Sequence, residues 1–237
     1  MVETHPDEPA LHVAGVDARL NRLRAGVLGA NDGVVSVAGV VLGVVAATDH
    51  GGALAAAGVA ALVAGALSMG TGEYVSVSTQ SDTQRALLAQ ERRELAETPE
   101  QELEELAAIY EAKGLTPELA HRVAVQLTAH DALAAHAEAE LGLDPQELTS
   151  PWQAAAASTA AFTLGGLLPL LAVLLPPQPA RVVVCLAAVV VALVVTGWVS
   201  ARLGGAPVPR AVARNVGGGL LAVVVTYGIG HLVGAGL

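Results

Sequence analysis

The chain has 237 residues, 53% of them hydrophobic and only 14% charged, with a mean hydropathy of +0.56 and a formal net charge of −10. Soluble globular domains carry about 25% charged residues, so this composition excludes an ordinary soluble domain, and no nucleic-acid partner is expected. A single cysteine, Cys185, excludes a disulfide framework and a cysteine-based metal site. Residues 1–20 contain Glu3, Asp7, Glu8 and Asp17 and no apolar core, which argues against a signal peptide, and 1–24 are expected to form a cytoplasmic N-terminal segment. Beyond them charge becomes sparse. Between Arg24 and Asp49 the only formal charge is Asp32, and between Asp49 and Glu73 there is none. Further charge-free stretches cover 148–180, 182–201 and 215–237. Each is long enough for the roughly 20 apolar residues that cross a bilayer, which predicts five transmembrane helices near 25–48, 53–78, 152–175, 181–203 and 212–235. Cys185 falls inside the fourth and reads as a small buried apolar residue.

Arginines set the orientation. Arg19, Arg22 and Arg24 precede the first span, the first hairpin "TDHGG" has no Lys or Arg, and Arg202, Arg210 and Arg214 flank the last connection. By the positive-inside rule the N-terminus, the segment after span two and the last connection face the cytoplasm. Among the histidines, His5 and His12 fall in the N-terminal tail, while His50 and His231 fall near the outer surface as bystanders.

Residues 80–148 hold fifteen of the 22 acidic residues and five of the twelve basic ones, so this segment carries the whole net charge of the protein. Thr98-Pro99 with Gln101 has the form of an N-cap, a proline at the first helical position and a capping-box partner. Thr116-Pro117 repeats the first two signals, and Gly114 and Gly142 read as C-terminal stops. The expected helices are an extension of span two to about 97, then 99–113 and 117–141. The expected fold class is therefore an all-α integral membrane protein: transmembrane helices 1 and 2 in 25–79, an acidic three-helix cytoplasmic domain inserted at 80–150, and transmembrane helices 3 to 5 in 151–237.

An acidic surface is ordinarily just a solvated one. Here the spacing points further. Glu91 and Glu94 are three apart, as are Glu102 and Glu105, so each pair lies on one helix face, and the Thr98-Pro99 break lets the two faces turn toward each other. Carboxylates brought together repel unless a cation sits between them. The third helix adds His130, Asp131, His136, Glu138 and Glu140, with His136 and Glu140 one turn apart. Oxygen-rich clusters with some imidazole suit hard to borderline divalent ions such as Mn²⁺ or Fe²⁺.

Within the first span, Asp32 is a carboxylate that costs roughly 2.5–3.5 kcal/mol at a bilayer centre and so calls for a partner or a task. Gly29 and Gly33, then Gly39 and Gly43, form two GxxxG patterns that allow a neighbouring helix to come close. In span two, Met69, Glu73, Ser76 and Gln80 recur every three or four residues as one stripe. Met69 alone reads as core filler; beside an intramembrane carboxylate it is also a candidate ligand. Glu73 and Glu91 are eighteen residues apart, five turns of a continuous helix, so that they share a face about 27 Å apart. An ion collected in the cytoplasm could pass along that face to a membrane entrance. No P-loop or other phosphate-binding glycine motif occurs in context, since "GGG" at 217–219 lies inside a span.

Two long segments, "LRAGVLGANDGVVSVAGVVLGV" (23–44) and "ALSMGTGEYVSVSTQSDTQRALLAQERREL" (66–95), strongly resemble the vacuolar iron transporter family, and the five-span layout extends the likeness over nearly the whole chain. The resemblance implies a homodimeric, non-enzymatic Fe²⁺/H⁺ antiporter that moves metal out of the cytoplasm, with an ion path at the dimer interface lined by the first-span aspartate and the second-span methionine. Those positions match Asp32 and Met69. It further implies metal gathering by glutamates on three cytoplasmic helices, matching Glu91, Glu94, Glu102, Glu105 and Glu140. Plant members place methionines before the last of these, where this chain reads "AAHAEAE", so His136 is an open candidate and the metal preference stands apart. No prosthetic cofactor is expected; Fe²⁺, or Mn²⁺, Zn²⁺ or Co²⁺, is the bound substrate, lipid and a second copy are the expected partners, and a bacterial plasma membrane is the expected location. Two rivals are weighed. A ferritin-like iron oxidase needs Glu-x-x-His pairs on two helices, and the acidic segment offers one, Glu118 to His121. A storage or buffering protein leaves Asp32 and the Met69–Glu73 stripe unexplained.

Overall fold

A computed structural model describes residues 13–48, 50–145 and 150–236, with side chains from Ala25 to Ala235. His5, His12 and Asp49 lie outside that range. Among the described residues all regular structure is helical: α1 (Val13–Ala47), α2 (Gly51–Glu97), α3 (Pro99–Ala112), α4 (Pro117–Ala139), α5 (Pro151–Leu174), α6 (Arg181–Leu203) and α7 (Val208–Gly236), with a 3₁₀ turn at Gln178–Ala180 before α6. Five of these are long and apolar enough to cross a membrane, at Ala25–Ala47, Gly51–Glu97, Pro151–Leu174, Gln178–Leu203 and Val208–Ala235. These five helices match the five stretches expected from charge spacing. The 47 residues of α2 measure about 70 Å at 1.5 Å each, more than twice a hydrocarbon core of about 30 Å. Only its apolar first half can be lipid-embedded; the charged half from Asp82 onward cannot.

The chain divides into two units. Among the described residues, those of 19–75 and 151–236 form the larger, and those of 76–150 with 13–18 form the smaller. Helical backbone continues through α2 across the Val75/Ser76 boundary.

The larger unit is organised around Val37, Val41 and Leu42 of α1, Leu54 and Leu62 of α2, Phe162 and Val173 of α5, Cys185 and Val189 of α6 and Val223 of α7, all nearly free of solvent contact. Its outward residues are also apolar: Leu164, Leu175, Val183, Leu221 and Leu232 are each about two-thirds exposed or more. A continuous apolar exterior of this kind is unstable in water and suited to lipid. Two hydroxyls within the spans are satisfied by their own helices: Thr163 donates to the Thr159 carbonyl at 2.8 Å and Thr226 to that of Ala222 at 2.9 Å. Cys185 is fully buried and its thiol points to the Pro169 carbonyl at 3.7 Å, the bland role expected of it.

Both GxxxG patterns of α1 are consumed inside this unit, by different neighbours. A Cβ at Gly29 would stand 2.9 Å from the Ser158 carbonyl oxygen, and one at Gly33 would collide with the Phe162 carbonyl, so α1 and α5 meet backbone to backbone. On the other pattern, a Cβ at Gly39 would press the Thr226 hydroxyl at 3.1 Å and one at Gly43 the Thr226 carbonyl at 3.2 Å, while Gly230 of α7 rests against Gly43. The close approach expected of these glycines is thus realised twice.

In the smaller unit, α3 and α4 pack through Leu106, Ala107, Ala124 and Ala135, flanked by Leu103, Tyr110 and Leu127. Gly114 (φ 103°) and Gly142 (φ 62°) stop the helices in a left-handed conformation that favours glycine. Leu115 and Leu143 return their amides to the carbonyls of Tyr110 and Ala137, closing the turns. Two expectations need correction. Neither Thr98 nor Thr116 makes a side-chain cap; the Thr98 hydroxyl turns back to the Glu94 carbonyl at 3.1 Å, so the capping box with Gln101 does not form. The helix expected at 117–141 is interrupted at Asp131, whose φ −158° and ψ 96° are those of extended backbone.

Candidate metal sites on the two units

Asp32 lies on α1, half-buried, and accepts a hydrogen bond from the Ser36 hydroxyl at 2.9 Å. Leu28, Asp32, Ser36 and Val40 recur every four residues, one face of the helix, and this face is open: Leu28 is 53% and Val40 41% exposed. Beside it a groove of about 510 Å³ runs between α1 and α7, bordered by Ser36, Gly39, Gly43 and Thr226. The preceding residue, Asn31, keeps its side-chain oxygen buried without a hydrogen-bond partner among the described residues, a feature that no motif announced. On α2, Met69 is partly buried and packs against the apolar core, and Glu73 is half-buried. Tyr74 stacks on Trp152 at 4.6 Å between ring centroids, and the Arg202 guanidinium lies over Trp198 at 5.6 Å. Such amphipathic aromatics mark a membrane–water boundary.

The smaller unit brings three of the expected ligands into one buried group: Glu91 of α2, Glu102 of α3 and His136 of α4, with one ligand atom from each lying within 4.8 Å of the others. Glu91 is 3%, Glu102 7% and His136 0% exposed. His136 Nδ1 stands 3.0 Å from Glu91 Oε1, 3.8 Å from Glu102 Oε2 and 4.0 Å from Glu140 Oε2. The 3.0 Å approach lacks the angle of a hydrogen bond, and both ring nitrogens and Glu91 Oε1 remain without a hydrogen-bond partner among the described residues. Burying such groups unpaired is costly. Two ligands on opposite sides of an ion bound at about 2.1 Å are about 4.2 Å apart, so a slight contraction of this group would seat one divalent ion.

Electrostatics agree with the geometry. Burial, followed by the neighbouring charges of Glu140, Glu102, Glu94 and Glu105, pushes the Glu91 carboxyl up from 4.5 to about 7. Glu140 is raised as well, first by burial and then by Glu105, with His136 acting in the opposite sense. The remaining expected ligands are peripheral. Glu94 is half-buried and accepts from the Gln90 amide at 3.0 Å, and Glu105 is exposed; both act on Glu91 through their charge. His130 and Glu138 are exposed and outside the group. Asp131, also a candidate ligand, instead accepts from the Ala134 amide at 3.0 Å and caps the helical segment that follows it. Near the start of α2, His50 does similar work, its Nδ1 accepting from the Ala53 amide at 3.1 Å.

Comparison with known proteins points to one family. The VIT family model matches residues 23–231. The chain is 44% identical over 211 residues to a vacuolar iron transporter of Acanthamoeba castellanii, covering 89% of this chain and 78% of that protein. It is 37% identical over 213 residues to vacuolar iron transporter homolog 2 of Arabidopsis thaliana, covering 90% and 84%, and 39% identical over 218 residues to homolog 1 of Oryza sativa subsp. japonica, covering 92% and 76%. The family-model match over residues 23–231 and these identities over most of each chain make the chain a member of the VIT family of membrane transporters.

Proposed function

We propose that this protein exports Fe²⁺ from the cytoplasm in exchange for protons, with Mn²⁺, Co²⁺ and Zn²⁺ as further substrates. The observation that carries the reading is Asp32: a carboxylate on a membrane-length helix whose hydrogen bond comes from its own helix, on an otherwise open face. Facing lipid, that carboxylate would be expensive; facing a second copy of α1 across a path for ions, it has a task. The pathway is therefore assigned to a homodimer interface, with Asp32, Met69 and Glu73 as the residues that meet the ion. Protons and metal compete for the same carboxylates, so a proton gradient can drive exchange without ATP.

In this reading residues 80–150 form a cytoplasmic domain inserted between the second and third spans, and Glu91, Glu102 and His136, with Glu94, Glu105 and Glu140 around them, gather the ion. The raised carboxyl of Glu91 supports this, because a seated cation relieves the repulsion that raises it. The arginine distribution supports a cytoplasmic N-terminus. The oxidase reading loses ground: Glu118 and His121, the one Glu-x-x-His pair of the acidic segment, are exposed and outside the buried group.

Reconstitution in liposomes tests the proposal. Fe²⁺ entry should require an opposing pH gradient and be lost in Asp32→Asn, which keeps the side chain's shape and removes its charge. Wild-type vesicles that bind Fe²⁺ yet pass none, with or without a gradient, would overturn it in favour of an oxidase or buffer.

A further inference from the structure

The break in α4 falls in "HDALAAH", which contains neither glycine nor proline. Asp131 leaves the helical conformation and its Oδ1 accepts from the Ala134 amide at 3.0 Å, so one residue ends a helix and caps the next. The capped segment, 132–139, begins a fresh turn whose phase is set by that cap and not by the preceding helix. His136 is its buried polar side chain: it is 0% exposed, with Nδ1 directed among the oxygens of Glu91, Glu102 and Glu140. Neither ring nitrogen reaches a hydrogen bond among the described residues. A buried imidazole whose approach to Glu91 misses hydrogen-bond geometry has a lone pair free for something that lies between the two groups.

We propose that His136 is a nitrogen ligand that turns an otherwise all-carboxylate seat into one selective for borderline divalent ions such as Fe²⁺, Co²⁺ and Zn²⁺ over Mn²⁺ and Mg²⁺, and that Asp131 is the positioning residue that aims it. The inference rests on the reading that the Glu91–Glu102–His136 group binds the transported metal. Carboxylates alone suit hard ions, Mg²⁺ and Mn²⁺ among them, whereas imidazole favours the ions later in the Irving–Williams order. Replacing one oxygen donor by His136 therefore steepens the preference for Co²⁺ over Mn²⁺.

The test uses the full-length protein in detergent, stripped of metal and loaded with less than one equivalent of Mn²⁺. Pulsed electron paramagnetic resonance reads nitrogen bound directly to Mn²⁺, and competition with Co²⁺ reads selectivity. Wild type should show the ¹⁴N coupling of one imidazole. His136→Gln should abolish it and lower the Co²⁺-over-Mn²⁺ preference on the order of tenfold. Asp131→Ala should weaken both signals, and Asp131→Asn, which also caps helices well, should restore them; rescue separates aiming from general structural damage. Absence of ¹⁴N coupling in the wild type overturns the proposal whatever the variants do, as does a preference unchanged in His136→Gln. The underlying site reading fails in a different way, through undiminished metal binding in the Glu91→Gln, Glu102→Gln double variant.

Discussion

Replacing Glu91 by Gln should make the metal-free smaller unit more stable at pH 8 and weaken its dependence on pH. The Glu91 carboxyl is raised from 4.5 to about 7, chiefly by burial and then by surrounding carboxylates, and the side chain is almost wholly shielded from solvent. In the folded state it therefore holds its proton over a range where the unfolded chain has released its own. The stability that this contributes is fully present below about pH 4.5 and is lost as pH rises through about 7. At about 1.4 kcal/mol per unit, the loss reaches on the order of 3 kcal/mol, enough to change local opening by about a hundredfold. Hydrogen exchange of the full-length protein in detergent with a chelator present reads this directly, through amides of α3 and of residues 132–139 after correction for intrinsic rates. Protection in the wild type should fall between pH 5 and pH 8, and a saturating divalent ion should restore it. In Glu91→Gln the corrected protection should fall far less over that range, the remaining slope being that of Glu140, and should be high at pH 8 and little changed by the ion. Wild-type protection that is level or rises with pH, or a variant with the same slope as wild type, would refute the account of Glu91 as a carboxyl held against its charge.

The glycine contacts of α1 make a paired prediction. Gly33→Ala should destabilise the larger unit by about 1–3 kcal/mol, since its methyl would collide with the Phe162 carbonyl, whereas Gly26→Ala, which meets nothing within 4 Å, should be neutral or gain up to about 1 kcal/mol of helix propensity. Thermal unfolding in detergent distinguishes the two, and equal effects would contradict the packing described. Cys185, fully buried in the apolar core, should resist maleimide labelling in the folded protein and react only on denaturation; rapid labelling in membranes would show that the α5–α6 contact opens.

The five spans were legible because a bilayer demands a long run without charge, a constraint that composition alone displays. Gly114 and Gly142 were legible as helix ends for an equally local reason: a left-handed residue is most cheaply a glycine. The site was legible only as pairs. Spacing put Glu91 with Glu94 and Glu102 with Glu105, but which member of each pair is buried depends on how α3 and α4 pack around Leu106 and Ala124, a tertiary matter. Asp131 was hidden because an aspartate inside an alanine-rich run ordinarily reads as a surface residue or ligand; its signal was the helix-start pattern that it makes with the residues after it. Thr98 misled for the opposite reason, its pattern being correct and its hydroxyl committed to the carbonyl behind it.

The two glycine seams on α1 also bear on how such a carrier can alternate its access. With one seam locked onto α5 and the other onto α7, rotating α1 about its own axis would drive side chains such as Val34 and Val37 into main-chain carbonyls. The helix that bears Asp32 is thus held in one rotation relative to α5 and α7. In the proposed exchange of metal for protons, exposure to one side of the membrane and then the other would come from movement of what faces Asp32, with α5 and α7 staying with α1 as one block.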